Sequence, residues 1–434
     1  MNINQTRSSS YGCLGVQANS MSLHAITFII GAISFFNFEF IGEVYPAEIA
    51  LVLMIPLLWK SKYSLLRDVE VKKILFFGLL WLVSQIITDL IRSTPTNDLL
   101  RGWASIIFFL LEFVGLYLLL SGSTMRIMLF LLGLVLSGFL QIIFLPSVFF
   151  DAHPWKFGYA LPVTLSFLIF ITYVCGSNVH KLKWWMLPLS IFGGLSIYLG
   201  FRSLGGMIIL TSFLIYFRTH WIGRALVLRL NSLRIGLLTI IVMVASVGIL
   251  NLYGYSVEQG WLGERAKDKY ERQVSGDLGI LFGGRIESFA SIPAIVDSPI
   301  IGHGSWAKDP SYRVFLYDLV KFGYYHSNDE VRYRIENSDL IPAHSHILQS
   351  WVWSGLPGAV FWLVILFIVI RVLIKTYQIN NEFLLFVIFF GLISIWDIFF
   401  SPFSSFMRMQ WAIRLCIFII SIQMCKNSQS NHII

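Results

Sequence analysis

The chain has 434 residues, of which 56% are apolar and only 13% charged, against about 45–50% and 25% in ordinary globular proteins. At a mean hydropathy of +0.72 a water-soluble fold would expose large apolar patches and aggregate, which excludes a secreted or cytosolic enzyme. The net charge of +8, from 32 Lys and Arg against 24 Asp and Glu, comes without a nucleic-acid-binding motif and suits the basic loops of a polytopic membrane protein.

In chain order, residues 1–20 are polar, lack the apolar core of a cleaved signal peptide and read as a cytosolic tail. Continuous apolar runs follow, of the length a helix needs to cross hydrocarbon. They fall at 21–38, 44–59, 74–92, 103–120, 127–145, 159–177, 184–201, 203–217, 235–253, 357–374, 383–401 and 409–425, which predicts twelve spans. Their unbroken apolar character excludes barrel strands, which alternate. Lys60, Lys62, Arg67, Lys72, Lys73, Lys181, Lys183, Arg218, Arg224, Arg229, Arg234, Arg371 and Lys375 all fall on one side. The positive-inside rule makes that side, and both termini, cytosolic.

Between spans nine and ten, residues 254–343 form a polar extracytoplasmic segment, too long to be structureless. Residues 258–275 are helix-prone. The run Arg285–Val296 spaces Ile286, Phe289, Pro293 and Val296 roughly as a helix does and stops at Asp297-Ser298-Pro299. Residues 344–425 hold a His-motif helix and spans ten to twelve, with 426–434 as a second tail. The expected fold class is an all-α polytopic membrane protein with a large helical loop. Cys13, Cys175, Cys416 and Cys425 offer no metal-ligand spacing.

The string His344-Ser345-His346-Ile347-Leu348-Gln349 leads to Gly355-Leu356-Pro357-Gly358. If it is helical from His344, about 100° per residue stacks Trp351, Gly355 and Gly358 beneath the histidine, above a groove that a helix or lipid can approach. A start after His344, which Pro342 allows, breaks that phase, and an interfacial histidine also finds water or a carbonyl. Arg202, in Phe201-Arg202-Ser203-Leu204-Gly205-Gly206, lies in a short hairpin on the side of the loop. Arginine there snorkels to headgroups or binds an anion. Arg285 follows Gly283-Gly284 and is suited to a surface salt bridge or to a phosphate. Asp89, Glu112, Asp397, Arg408 and Arg414 are further polar residues in or near spans, and Asp397 is expected to pair with Arg414 or Arg408. No Asp-x-Asp lies on the outer side to bridge a diphosphate through metal. Walker, His-Glu-x-x-His and Gly-x-Ser-x-Gly motifs are absent.

This pattern resembles the O-antigen ligase/polymerase superfamily of bacterial surface-polysaccharide assembly. Its ligases carry His-[Asn/Ser/Gln], nine residues, Gly, two residues, then Gly, Thr or Tyr, as His344-Ser345, Gly355 and Gly358 do here. Arg202-Ser203 matches the family's Arg-Ser/Gly element. Gly284-Arg285 with Pro299-Ile300-Ile301-Gly302-His303-Gly304 matches its loop element of Gly-Arg, then Pro-x-x-Gly-x-Gly. The resemblance covers roughly 195–376 and is only topological upstream.

It implies an inverting, metal-independent, cofactor-free glycosyltransferase of the membrane-embedded, GT-C-like class in the bacterial inner membrane, active at the periplasmic face among membrane lipids. The donor would be a glycan on undecaprenyl diphosphate and the acceptor a sugar hydroxyl of lipid A–core. His344 would be the general base, with His346 and His303 as lesser alternatives. Arg202 and Arg285 would hold the diphosphate, with Ser345, Gly355, Gly358, Gly302 and Gly304 supporting the motif. The alternatives are a polymerase joining lipid-linked repeat units or, from another class, a twelve-helix secondary transporter. The transporter predicts repeat-related halves and mid-membrane polar sites, whereas the halves here differ and Glu112 alone lies deep.

Overall fold

A computed structural model describes residues 10–176, 178–220, 232–264, 267, 270–271, 287–314, 339–378 and 381–430. The described chain is nearly all helix: α1 (Ser10–Ala32), α2 (Pro46–Lys62), α3 (Val69–Ile91), α4 (Thr96–Leu120), α5 (Thr124–Phe144), α6 (Ala160–Cys175), α7 (Leu182–Tyr198), α8 (Arg202–Thr219), α9 (Ser232–Glu258), α10 (Glu287–Asp297), α11 (His346–Ser354), α12 (Leu356–Gln378), α13 (Leu384–Phe400) and α14 (Ser405–Ser430). Among the described residues, seven helical stretches are long and apolar enough to cross a membrane, and the apolar helices Met21–Ala32 and Leu384–Phe400 are shorter. This is an all-α membrane protein. α7, α8 and α9 cover the other three apolar runs as helices but are not among those seven.

Two elements differ from the sequence reading. The first helix begins at Ser10, inside the expected tail, and ends at Ala32, short of residue 38. Beyond it β1 (Phe38–Glu39) pairs antiparallel with β2 (Glu43–Val44). Phe40 N–H donates to Gly42 O at 3.0 Å in the turn. The turn carries Glu39 and Glu43 beside the exposed Phe38, Phe40 and Ile41.

α4 and α14 run together through the middle of the bundle, with α2 and α3 against α4 and α12 along α3. Of the apolar windows, 67% of α4 and 78% of the Ser405–Cys425 stretch are buried inside the protein, against 11% for Pro46–Arg67, which marks α2 as peripheral. Aromatic rings fill the centre: Trp81 stacks on Phe361 at 5.0 Å, and Trp362 meets Trp411 at 5.0 Å. Arg414 pairs with Asp397 at 2.6 Å, one of the two pairings expected. Arg408 instead pairs with Glu48 at 2.7 Å and donates to Glu43 O at 2.8 Å. Glu112, whose buried carboxyl oxygens meet no hydrogen-bond donor among the described residues, lies beside Glu48. It is thus close to the first-turn residues Glu48 of α2 and Arg408 of α14.

A smaller core sits at the end of the bundle where α3 finishes and α4 begins. Ala294 and Ile295 of α10, Ala307, Ile341 and Val352 of α11 are buried together. Ile341 N–H donates to Ala307 O at 2.9 Å and Ser291 Oγ to Pro342 O at 2.8 Å, tying the two chain segments that frame α11. Helix α10 occupies the stretch predicted to be helical after Arg285 and stops at Asp297, as expected.

Candidate functional site

The site is built around α11. Ser345 is its N-cap: the hydroxyl accepts Leu348 N–H at 3.3 Å, satisfying one first-turn donor, and donates to Ile398 O of α13 at 2.9 Å. His344 lies outside the helix, half-buried and immediately ahead of the cap. The helix ends at Gly355, whose φ of 69° is a left-handed turn that glycine adopts without strain, and α12 starts on the next residue. The stacking of Gly355 beneath His344 is therefore overturned: His344 precedes the first turn and Gly355 ends the last. Gly358, in the first turn of α12, lies against Ser350 O and Ser354 Oγ rather than facing a lipid groove.

What approaches Gly355 is the loop element 299–304. A Cβ on Gly355 would collide with Ile300 O, and one on Gly302 would lie 2.6 Å from Gly355 N and 2.9 Å from Trp353 O. The loop completes the end of α11: His303 N–H donates to Val352 O at 2.7 Å and Gly304 N–H to Trp353 O at 3.0 Å. These carbonyls belong to the last turn, which has no partners within its own helix. Leu356 N–H donates back to Ile300 O at 3.3 Å, and Trp351 Nε1 to Pro299 O at 2.8 Å.

The far side of the loop is gripped by the end of α3, which sequence reasoning missed. Asp89 accepts from Ser305 N–H at 2.6 Å, Ser305 Oγ at 2.8 Å and Trp103 Nε1 at 2.8 Å. Arg92 donates to Gly302 O at 3.0 Å and to Ser298 Oγ at 2.7 Å, and Thr88 donates to Ile301 O. A Cβ on Gly304 would lie 3.1 Å from Asp89 Oδ1. Beyond it Trp306, at a φ of 49° that bulky side chains rarely adopt, is held between Trp353 at 4.5 Å and the Arg101 guanidinium at 4.7 Å. The sequence signal was an acid and a base three residues apart at the end of an apolar run.

The two lesser histidine candidates are committed to structure. His346 is wholly buried, its Nδ1 2.5 Å from Ser401 O and its Nε2 accepting from Trp411 Nε1–H at 2.7 Å. One ring nitrogen donates and the other accepts, which is the neutral tautomer. Ahead of the α12 span, burial pushes its pKa down to about 4, with Arg414 lowering it further against the pull of Asp397 and Ser401 O. His303 Nε2 lies 2.6 Å from Ala294 O. Beside His346, Gln349 clamps the α13–α14 turn through Phe403 N–H at 2.6 Å and Phe403 O at 3.2 Å.

Arg202 opens α8 and reaches the Tyr253 hydroxyl at 3.1 Å, its guanidinium 5.2 Å from the ring centroid. The other end of α8 is joined to the far end of α12 by Arg218 Nε donating to Tyr377 O at 2.6 Å. Arg202 is thus at the end of the bundle that carries α11, and α13 packs against both α8 and α11. No described contact joins Arg202 to His344. Arg285 lies outside the described residues, two positions ahead of α10. Gly302, Gly304, Gly355 and Gly358 are brought together at the end of α11, and Ser345 lies at its other end. Among the described residues, no three His, Cys, Asp or Glu side chains cluster as a metal site.

Against known proteins, no family model, curated protein or solved structure matches this chain. The family resemblance therefore rests on the motif residues themselves.

Proposed function

We propose that the protein is an O-antigen ligase-type glycosyltransferase of a bacterial inner membrane, with twelve spans, cytosolic termini and the loop 254–343 in the periplasm. It transfers a polysaccharide from undecaprenyl diphosphate to a sugar hydroxyl of lipid A–core. The observation that carries the reading is the docking of Pro299–Gly304 on the end of α11, with Gly302 against Gly355. Two elements of one motif set, separate in sequence, meet backbone to backbone. They close the C-terminal end of the helix whose N-cap follows His344, a histidine that is half-buried rather than sealed in the core.

In this reading His344 accepts the proton of the attacking hydroxyl as its oxygen bonds to the anomeric carbon. The electron pair of the breaking carbon–oxygen bond leaves with undecaprenyl diphosphate, and attack opposite that group inverts the centre. Arg202 and Arg285 hold the diphosphate and offset its growing charge.

The test is transfer by purified protein from lipid-linked glycan to rough lipopolysaccharide, with and without chelator. His344→Ala is expected to abolish transfer while inserting normally, and full activity would sink the mechanism. Arg202→Ala is expected to lower the rate about 10²- to 10³-fold, with Arg202→Lys partly active. The same docked motifs suit a polymerase joining lipid-linked repeat units. Gels of a knockout separate the two: ligase loss leaves rough lipopolysaccharide, and polymerase loss leaves core plus one repeat.

A further inference from the structure

At the opposite end of the bundle, where α2 and α4 finish and α5 begins, two cations bind neighbouring carbonyls with no acid paired to either among the described residues. Lys62 Nζ donates to Leu118 O at 2.7 Å, and Arg126 donates to Ser121 O at 2.7 Å. Both carbonyls belong to the last turn or cap of α4. Arg126 is only 7% exposed and its Nε meets no hydrogen-bond partner among the described residues. Lys62 and Arg126 are close enough to repel each other. Neither is ion-paired with a described carboxylate, whereas Lys73 and Arg371 near this end share Glu70.

The negative end of the α4 dipole amounts to about half a charge, which leaves two positive charges under-compensated, with Arg126 buried and Lys62 half-buried. Residue Arg126 also lies in the first turn of α5, whose N-cap is Ser123, so the free amides of that turn add to the same field. A planar guanidinium fork, a lysine point charge and a helix start together form a phosphate-recognising set. Its position at the ends of three apolar helices is the level at which headgroups lie, and the exposed Lys60 and Lys72 of the same end enrich anions there.

We infer that Lys62 and Arg126 form a binding site for a phosphate group, supplied either by the headgroup of an anionic lipid or by a free phosphate. The site is remote from α11 and independent of the function proposed above.

The test uses the full chain purified in detergent, titrated with dioctanoyl phosphatidylglycerol, dioctanoylglycerol or inorganic phosphate while thermal stability is followed. Saturable stabilisation by phosphatidylglycerol, absent with dioctanoylglycerol, is expected, and Lys62→Gln or Arg126→Gln should each weaken it about tenfold. Lys72→Gln removes an exposed cation from the same end and should leave it unchanged. If Arg126→Gln fails to fold, Arg126→Lys keeps the charge and the bond to Ser121 O but loses the fork, and intermediate affinity is expected. Inorganic phosphate that binds and displaces the lipid identifies a free phosphate as the ligand; lipid binding without it identifies the headgroup. The inference is overturned if neither probe binds, if dioctanoylglycerol binds equally well, or if Lys72→Gln weakens binding as much as Arg126→Gln.

Discussion

Replacing Asp89 with alanine should release the outer loop while leaving the bundle standing. Asp89 is 1% exposed and accepts four hydrogen bonds, from Ser305 N–H, Ser305 Oγ, Trp103 Nε1 and, at 3.3 Å, Gln85 Nε2. Gln85 keeps Ser305 Oγ at 2.9 Å as an acceptor and the serine hydroxyl can turn, so the donors truly stranded are Ser305 N–H and Trp103 Nε1–H. A buried donor left unmade costs about 1–3 kcal/mol. Allowing for water entering the space the carboxyl leaves, the docked loop should lose about 3 kcal/mol, a factor of about 10² in its opening equilibrium. Amide hydrogen exchange of purified Asp89→Ala in detergent reads this directly, because opening exposes the Ser305, Gly304 and His303 amides together. These should exchange about 10²-fold faster while α4 and α14 amides stay protected. Asp98→Ala is the control: its partner Lys308 is half exposed, at 2.9 Å, and such a pair is worth about 1 kcal/mol or less. If Ser305 exchanges at the wild-type rate in Asp89→Ala, the loop is not held by α3 and the account of the site is wrong.

Other consequences can be measured in the same preparations. Gly302→Ala puts a methyl group 2.6 Å from Gly355 N on a backbone at a φ of 84°; it should cost about 2–4 kcal/mol of loop docking and raise exchange at Gly304 more than at any α3 amide. Since burial holds His346 neutral down to about pH 4 while the unfolded ring titrates near pH 6.5, its contribution is complete above about pH 6.5. It is lost as pH falls from there towards 4, by about 3 kcal/mol in all. His346→Gln should flatten that part of the acid profile, and parallel losses in the two proteins would refute the assignment. Arg414→Met strands Asp397, 2.6 Å away and buried; it should destabilise the α13–α14 pair by about 3–5 kcal/mol, and joint replacement with Asp397→Leu should restore much of the loss.

The helices were legible because a bilayer demands unbroken apolar runs, which no other constraint mimics. The Asp397–Arg414 pair was legible because a charge in such a run needs an opposite one nearby. Asp89 and Arg92 were not, because much of what they bind is backbone: Ser305 N–H and Gly302 O leave no mark in a side-chain pattern and lie some 210 residues away. The phase of α11 failed for a narrower reason. A face is defined only once the first helical residue is known, and Ser345, the natural cap, puts His344 outside the count. Gly355 was read for its small size when its positive φ mattered more.

The Arg408–Glu48 pair also has a bearing on how the chain is made. Its members stand 360 positions apart, residues 48 and 408, so the ribosome delivers the acid long before the base. At about 5–20 residues per second, Glu48 waits roughly 20–70 s for its partner, and Glu112 beside it waits nearly as long. Until α14 arrives, two carboxyl groups stand in an unfinished bundle without that base, and the contact of α2 with α4 is completed only when Arg408 joins it. Helix α14 is in this sense the keystone of α2 and α4.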